Sequence, residues 1–128
     1  MVTADDFSDT LWDLLCQARG RQEDLERLLA VQPKDAIAEF YNEFIQAAAH
    51  LRHELAGVLR DRTDDTQKDI VEYVVAQGKE RYAEVLAQPE LLPEDVESND
   101  VWFKGAAIGV YWERFQERIP RWDLDESL

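Results

Sequence analysis

The sequence contains a single cysteine, Cys16, among its 128 residues. One cysteine cannot form an internal disulfide, so the chain is not a disulfide scaffold, and nothing indicates an oxidising compartment. Leu14 and Leu15 precede Cys16, and no neighbouring residue is typical of a reactive thiol. We therefore expect Cys16 to be a buried structural residue.

The sequence also lacks long apolar runs and the usual catalytic motifs. The opening segment MVTADDFSD has neither the basic region nor the apolar stretch of a signal peptide, and no apolar run is long enough to span a bilayer. No Gly-x-Ser-x-Gly, dinucleotide fingerprint or Cys/His cluster is present. We expect a cytoplasmic protein with no membrane contact, no enzymatic activity and no cofactor.

Basic residues are scarce, because 14 Lys and Arg stand against 28 Asp and Glu, which gives a net charge of −14. Such a surface repels phosphates and anionic lipids, so we expect no direct nucleic-acid binding. It favours a basic protein, a cation, or a site that normally receives nucleic acid. The alternative explanation is that the negative net charge has no partner and only keeps the protein soluble. Hydrophobic residues make up 45% of the chain, which excludes a disordered class.

Apolar residues recur at helical spacing along almost the whole sequence, which predicts a series of helices. Ser8 is a candidate N-cap for the first helix, Gly20 a candidate stop, and Pro33 ends the second. The third segment is predicted to be one long helix, or two in line with a bend near Ala48. Its apolar stripe consists of Ile37, Phe40, Tyr41, Phe44, Ile45, Ala48, Leu51, Leu55, Val58 and Leu59. A final helix is predicted from about Asp100 to Arg118.

The stretch TDDTQKDIVEYVVAQGKERYAEVLAQPELLPED, residues 63–95, predicts two helices separated by a glycine. Thr63, Asp64 or Asp65 caps the first helix, and Gly78 is predicted to be its left-handed C-cap. Two adjacent carboxylates also suit a metal or acid-base site, but residues directly before a helix are more typical of caps. The whole chain, residues 1–128, is therefore predicted to be one all-α domain, an irregular bundle of about six helices. Residues 1–6 and 121–128 are expected to be mobile termini.

Several segments resemble the bacterial family catalogued as domain of unknown function 4240. They are FSDTLWDLLCQAR, PKDAIAEFYNEF, the Thr63-Asp64-Asp65 turn, and then Tyr73-Val74-Val75, Gln77-Gly78, Tyr82, Leu86 and Pro89. Gln67 stands where members usually carry an aromatic residue. The resemblance implies a helical fold and a bacterial source, and it implies no activity.

Two histidines are the best metal-ligand candidates in the sequence. His50 and His53 lie three residues apart on the polar side of the third helix, with Glu54 adjacent. Neighbours at this spacing can share a metal ion. The carboxylate-bundle pattern requires a Glu-x-x-His motif on each of two helices, and this chain has no further histidine. We expect a solvated polar face and keep these three residues as weak metal candidates.

The final helix is apolar on two opposite sides. Val101, Ile108, Trp112, Phe115 and Ile119 form one stripe, and Phe103, Ala107, Val110 and Tyr111 form the other. A central helix in a monomeric bundle is the favoured interpretation. In the alternative, the Val101 stripe faces the core and the Phe103 stripe faces loops or a second subunit. Aromatic residues are enriched in binding hot spots, so a homodimer or partner interface is considered. The candidate interface residues are Trp102, Phe103, Val110, Tyr111 and Trp112.

These features together favour an acidic helical protein-interaction module, of a regulatory, accessory or immunity type, that binds a basic partner. A DNA-mimicking inhibitor is the first alternative. A metal-dependent enzyme that uses His50 and His53 is the second.

Overall fold

The computed structural model describes residues 3–93 and 103–120. Over these residues the protein is an all-α bundle with no strand, which confirms the predicted fold class. The helices are α1 (Asp9–Ala18), α2 (Gln22–Ala30), α3 (Lys34–Glu54), α4 (Ala56–Leu59), α5 (Asp64–Ala76), α6 (Lys79–Ala87) and α7 (Phe103–Phe115). Short 3-10 helices span Ala4–Asp6 and Pro89–Leu91. Val101 and Trp102 lie outside the described residues.

Local signals place the starts of two helices correctly. The Ser8 hydroxyl accepts a hydrogen bond from the Leu11 N–H at 3.3 Å, and Thr63 accepts one from the Thr66 N–H at 3.2 Å. Both are side-chain caps that satisfy a free N–H of the first helical turn. Of the two alternatives for the third segment, α3 runs through Ala48 as one continuous helix to Glu54, and the interruption falls at Leu55, before α4.

Gly78 does not have the left-handed C-cap conformation that the sequence predicts. Gln77, at the end of α5, is right-handed, and Gly78 directly precedes α6 with φ 104° and ψ −179°. This region of backbone space is open essentially to glycine alone. A glycine is therefore required at this junction, although for a different reason from the one expected.

The core forms around α3, which packs against α1, α5 and α7. Its largest fully buried members are Tyr41, Tyr82, Phe40, Phe44 and Phe103. The Tyr82 hydroxyl donates to the Ala47 carbonyl at 2.9 Å, and the Trp12 indole N–H donates to the Ala4 carbonyl at 2.9 Å. Ala4, within the terminus expected to be mobile, is thereby held in the core.

Cys16 is exposed, which corrects the expectation of a buried thiol. The core side of α1 is already occupied by Leu11, Leu15 and Ala18. Because successive residues turn by about 100° around a helix, the residue after Leu15 points away from that side.

The two stripes of α7 do not divide as the interface hypothesis supposed. Phe103, Ala107, Val110 and Tyr111 are buried in the core, whereas Trp112 is 49% exposed. Of the other residues in the Trp112 stripe, Ile108 and Phe115 are partly buried against the core and Ile119 is buried. Within the described part of the chain, the supposed association stripe is therefore the core stripe. The reason lies in the partner helices, since the Phe103 ring meets that of Phe44 on α3 with centroids 6.5 Å apart.

A buried ion pair joins α5 to α7. Glu72 is only 5% exposed, and its carboxylate lies 2.9 Å from the Lys104 ammonium. A buried charge is tolerated where an opposite charge compensates it, so this pair fixes the position of α7 against α5.

Candidate functional site

The histidine candidates are exposed and are not joined by further ligands. His50 lies against the Phe7 ring, with centroids 6.1 Å apart. The nearby Glu43 accepts hydrogen bonds from the Ser8 N–H at 2.9 Å and the Ser8 hydroxyl at 2.5 Å, so its carboxylate holds the start of α1. Among residues 3–93 and 103–120, no three His, Cys, Asp or Glu side chains are grouped to hold a metal ion. His50, His53 and Glu54 therefore do not form a group of three ligands in the structure.

Tyr82 is buried next to Phe7, the residue whose ring also contacts His50. Burial, followed by the negative charges of Glu54 and Asp6, raises the pKa of Tyr82. The hydroxyl therefore remains protonated over the physiological range and donates to the Ala47 carbonyl, which is a structural role.

Asp64 is engaged in holding helices together. Its carboxylate pairs with the Arg52 guanidinium and lies 3.7 Å from the Lys68 ammonium. The hydrogen bond from Arg52 is the main cause that lowers the pKa of Asp64. Asp64 therefore ties the first turn of α5 to α3, and Asp65 beside it is exposed.

Gln67 is a structural residue that sequence reasoning did not identify. Its side-chain oxygen accepts a hydrogen bond from Arg52 Nε at 3.0 Å, and its amide nitrogen donates to the carbonyls of Leu59 at 3.0 Å and Arg62 at 2.9 Å. One side chain thus joins α3, the end of α4 and α5.

A cleft of about 960 Å³ lies between the α1–α2 turn and the α5–α6 junction. Trp12, Leu15 and Ala76 form its apolar wall, and Cys16 and Tyr73 also line it. No histidine lies among its lining residues, so the thiol lacks the base that commonly activates a nucleophilic cysteine. Residues 73–80 of the 63–95 segment therefore contribute to one wall of an open cleft.

A second groove, the α2–α7 groove, has a volume of about 370 Å³. Its apolar floor consists of Ala30, Gly109 and Val110, and its carboxylate rim of Glu23, Glu26 and Glu113. The rim residues of α2 and the floor residue Ala30 recur at i, i+3 and i+7, which places them along one flank of the helix.

Two arginines also line the α2–α7 groove, but both have intramolecular partners. Arg27 pairs with Asp24 at 2.5 Å. Arg114 donates to the carbonyls of Leu29 and Gln32, and its guanidinium lies 4.7 Å from the Phe115 ring centroid. The carboxylates of Glu23 and Glu113, in contrast, have no hydrogen-bond or ion-pair partner in the described part of the chain.

The outer face of α7 borders this groove and is open. A Cβ atom placed on Gly109 would meet no atom within 4 Å, and Trp112, one turn further along α7, is 49% exposed. Of the candidate interface residues, Phe103, Val110 and Tyr111 are buried inside the bundle, and Trp102 lies outside the described residues.

No family model, curated protein or solved structure matches this chain. The resemblance to the domain of unknown function 4240 family therefore stays a prediction. In the part of the chain that the structure describes, no helix is both long enough and apolar enough to cross a membrane.

Proposed function

We propose that this chain is an acidic helical module that binds a basic protein partner in the cytoplasm, as a regulatory, accessory or immunity-type protein does. The observation that carries the proposal is that most basic side chains are paired within the chain, whereas many exposed carboxylates are not. Most of the described basic side chains pair with a carboxylate of the same chain. They are Arg27, Lys34, Arg52, Lys68, Lys79, Arg81 and Lys104.

Many carboxylates, in contrast, are exposed and have no partner in the described ranges. They are Asp13, Glu23, Asp35, Glu39, Asp61, Asp65, Glu80, Glu90 and Glu113. Arg19, Arg21 and Arg60 are the unpaired basic counterparts. The remaining field is therefore strongly negative, and such fields steer oppositely charged proteins and raise their association rates.

The described polar interior supports a binding role over a catalytic one. Every buried side-chain nitrogen and oxygen in residues 3–93 and 103–120 has a hydrogen-bond partner. Active sites commonly contain buried polar groups whose hydrogen-bonding capacity is kept for a substrate, and no such unsatisfied group occurs among the described residues. The DNA-mimicking inhibitor and the metal-dependent enzyme remain as alternatives that the same experiment separates.

The proposal is tested by affinity capture from an extract of the source cells. The immobilised wild type is compared with a variant in which Asp13, Glu23, Glu39 and Glu113 are replaced by their amides, and with Cys16→Ser as an uncharged control. We expect the wild type and Cys16→Ser to retain the same basic protein, released by salt because screening weakens exposed charge contacts. The amide variant should retain less of it.

Three outcomes would redirect the assignment. Capture that is unaffected by both salt and the amide substitutions would refute a charge-driven interaction. A captured nucleic-acid enzyme whose activity the protein inhibits would favour the DNA mimic. Stoichiometric zinc or manganese in the purified protein would favour the enzyme.

A further inference from the structure

The α2–α7 groove combines apolar and acidic groups, and the exposed Trp112 lies three residues after the groove residue Gly109 on α7. Gly109 lies in the floor and leaves space above α7, because a Cβ atom there would meet nothing within 4 Å. Tryptophan is the residue type most often found at binding hot spots, and Trp112 is one of three large apolar residues exposed in the described chain.

The charge of this surface selects a cationic occupant. Glu23 and Glu113 stand on opposite sides of the groove without partners, and both arginines of the groove are already engaged. A cationic side chain placed between the two helices would meet carboxylates from both sides. Arginine is well suited, because its planar guanidinium can bind carboxylates in a bidentate manner.

The shape of the surface selects a helical occupant. The groove runs between the flanks of two helices, where side chains form ridges that accept the ridges of a third helix. The missing side chain at Gly109 allows that helix to approach closely. An extended peptide normally binds by adding to a sheet edge, and the described residues contain no strand.

From these observations we propose that the α2–α7 groove, together with Trp112, is the docking surface for a basic amphipathic helix of a partner protein. The apolar side of that helix packs on Ala30, Gly109 and Trp112, and its arginines or lysines meet Glu23, Glu26 and Glu113. The proposal rests on the proposed function and adds to it the site and the kind of partner segment.

The test uses the full chain and a defined probe. A fluorescein-labelled peptide of repeated Lys-Leu-Ala-Lys units, which is amphipathic as a helix, is titrated at low salt and followed by anisotropy. A scrambled peptide of the same composition measures the contribution of charge alone. The groove variant Glu23→Lys/Glu113→Lys is compared with Asp61→Lys/Glu90→Lys, which makes the same charge change at exposed residues that do not line the groove.

A third variant, Gly109→Leu, fills the space above α7 without disturbing the core. Its melting temperature should equal or exceed that of the wild type, because leucine is a better helix former than glycine and the space is open. It should nevertheless weaken binding of the amphipathic peptide, which separates loss of docking from loss of folding.

We expect the groove variant to weaken binding of the amphipathic peptide by about tenfold or more, which corresponds to ~1.4 kcal/mol. The Asp61/Glu90 variant should weaken it by less than about threefold, because only the general field changes. If both pairs of reversals weaken binding equally, or if Gly109→Leu binds like the wild type, the docking site is wrong and the proposed function survives. If the wild type binds neither peptide and captures no basic protein, both proposals fail.

Discussion

Tyr111→Ala and Trp112→Ala provide the sharpest test of how α7 sits in the bundle. These neighbouring aromatic residues lie on different sides of one helix, with Tyr111 3% exposed and Trp112 49% exposed. The Tyr111 ring packs edge-on against Phe115 with centroids 5.1 Å apart. Removing a buried ring loses both the transfer free energy and the contacts around the cavity, so the two substitutions should differ widely in cost.

The magnitudes follow from burial. Tyr111→Ala should lower the free energy of unfolding by about 3–5 kcal/mol, as for other buried aromatic truncations. Trp112→Ala removes a ring that is already half in water and should cost roughly 1 kcal/mol, of the order of ordinary surface substitutions. For a domain of this size, ~1 kcal/mol corresponds to a shift of about 4 °C in melting temperature.

Urea denaturation followed by circular dichroism measures both values, and the slope of the transition checks that each variant unfolds in two states. Phe103→Ala, at another fully buried position of α7, serves as a matched control that should behave like Tyr111→Ala. If Trp112→Ala destabilises the protein as much as Tyr111→Ala, the orientation of α7 described above is wrong.

Three further predictions concern charged and titratable groups. Glu72→Gln should cost about 3–5 kcal/mol in urea denaturation because it removes the charge of the buried partner in the Glu72–Lys104 ion pair, whereas the double replacement of Glu72 and Lys104 by Met should cost less than Glu72→Gln alone. Because the pKa of Asp64 is lowered on folding, its contribution to stability is present above the ordinary carboxyl pKa and is lost as pH falls through the lowered value. Melts from neutral to acid pH should thus show a smaller acid-side loss for Asp64→Asn, and an unchanged profile would contradict the pairing. Zinc or manganese should leave the melting temperature of the wild type unchanged, as in His50→Ala/His53→Ala; a rise in the wild type alone would establish a metal site.

Features governed by a few consecutive residues could be predicted from the sequence. The Ser8 and Thr63 caps are examples, since each needs only its own side chain and an N–H three residues later. The all-α class follows in the same way, because apolar spacing is a local property of each helix.

Features decided by distant partners could not be predicted in this way. The two stripes of α7 are both apolar, and which of them turns inwards depends on the distant helices α2 and α3 against which α7 packs. The Glu72–Lys104 pair has no signal in the local pattern, because each residue taken alone is an ordinary charged position on a helix. The α2–α7 groove likewise exists only once two separate helices lie side by side.

The short connection between α5 and α6 limits where an extra residue can be inserted in this chain. Only Gln77 and Gly78 separate Ala76 from Lys79, and the Gly78 carbonyl already accepts the first hydrogen bond of α6 from the Tyr82 N–H at 3.0 Å. A residue inserted within the first turn of α6 would rotate everything after it by about 100° relative to Gly78. Tyr82 would then lose the Ala47 carbonyl. Insertions should therefore be rejected at this junction, so the spacing from Gly78 to Tyr82 is itself a signature of the fold.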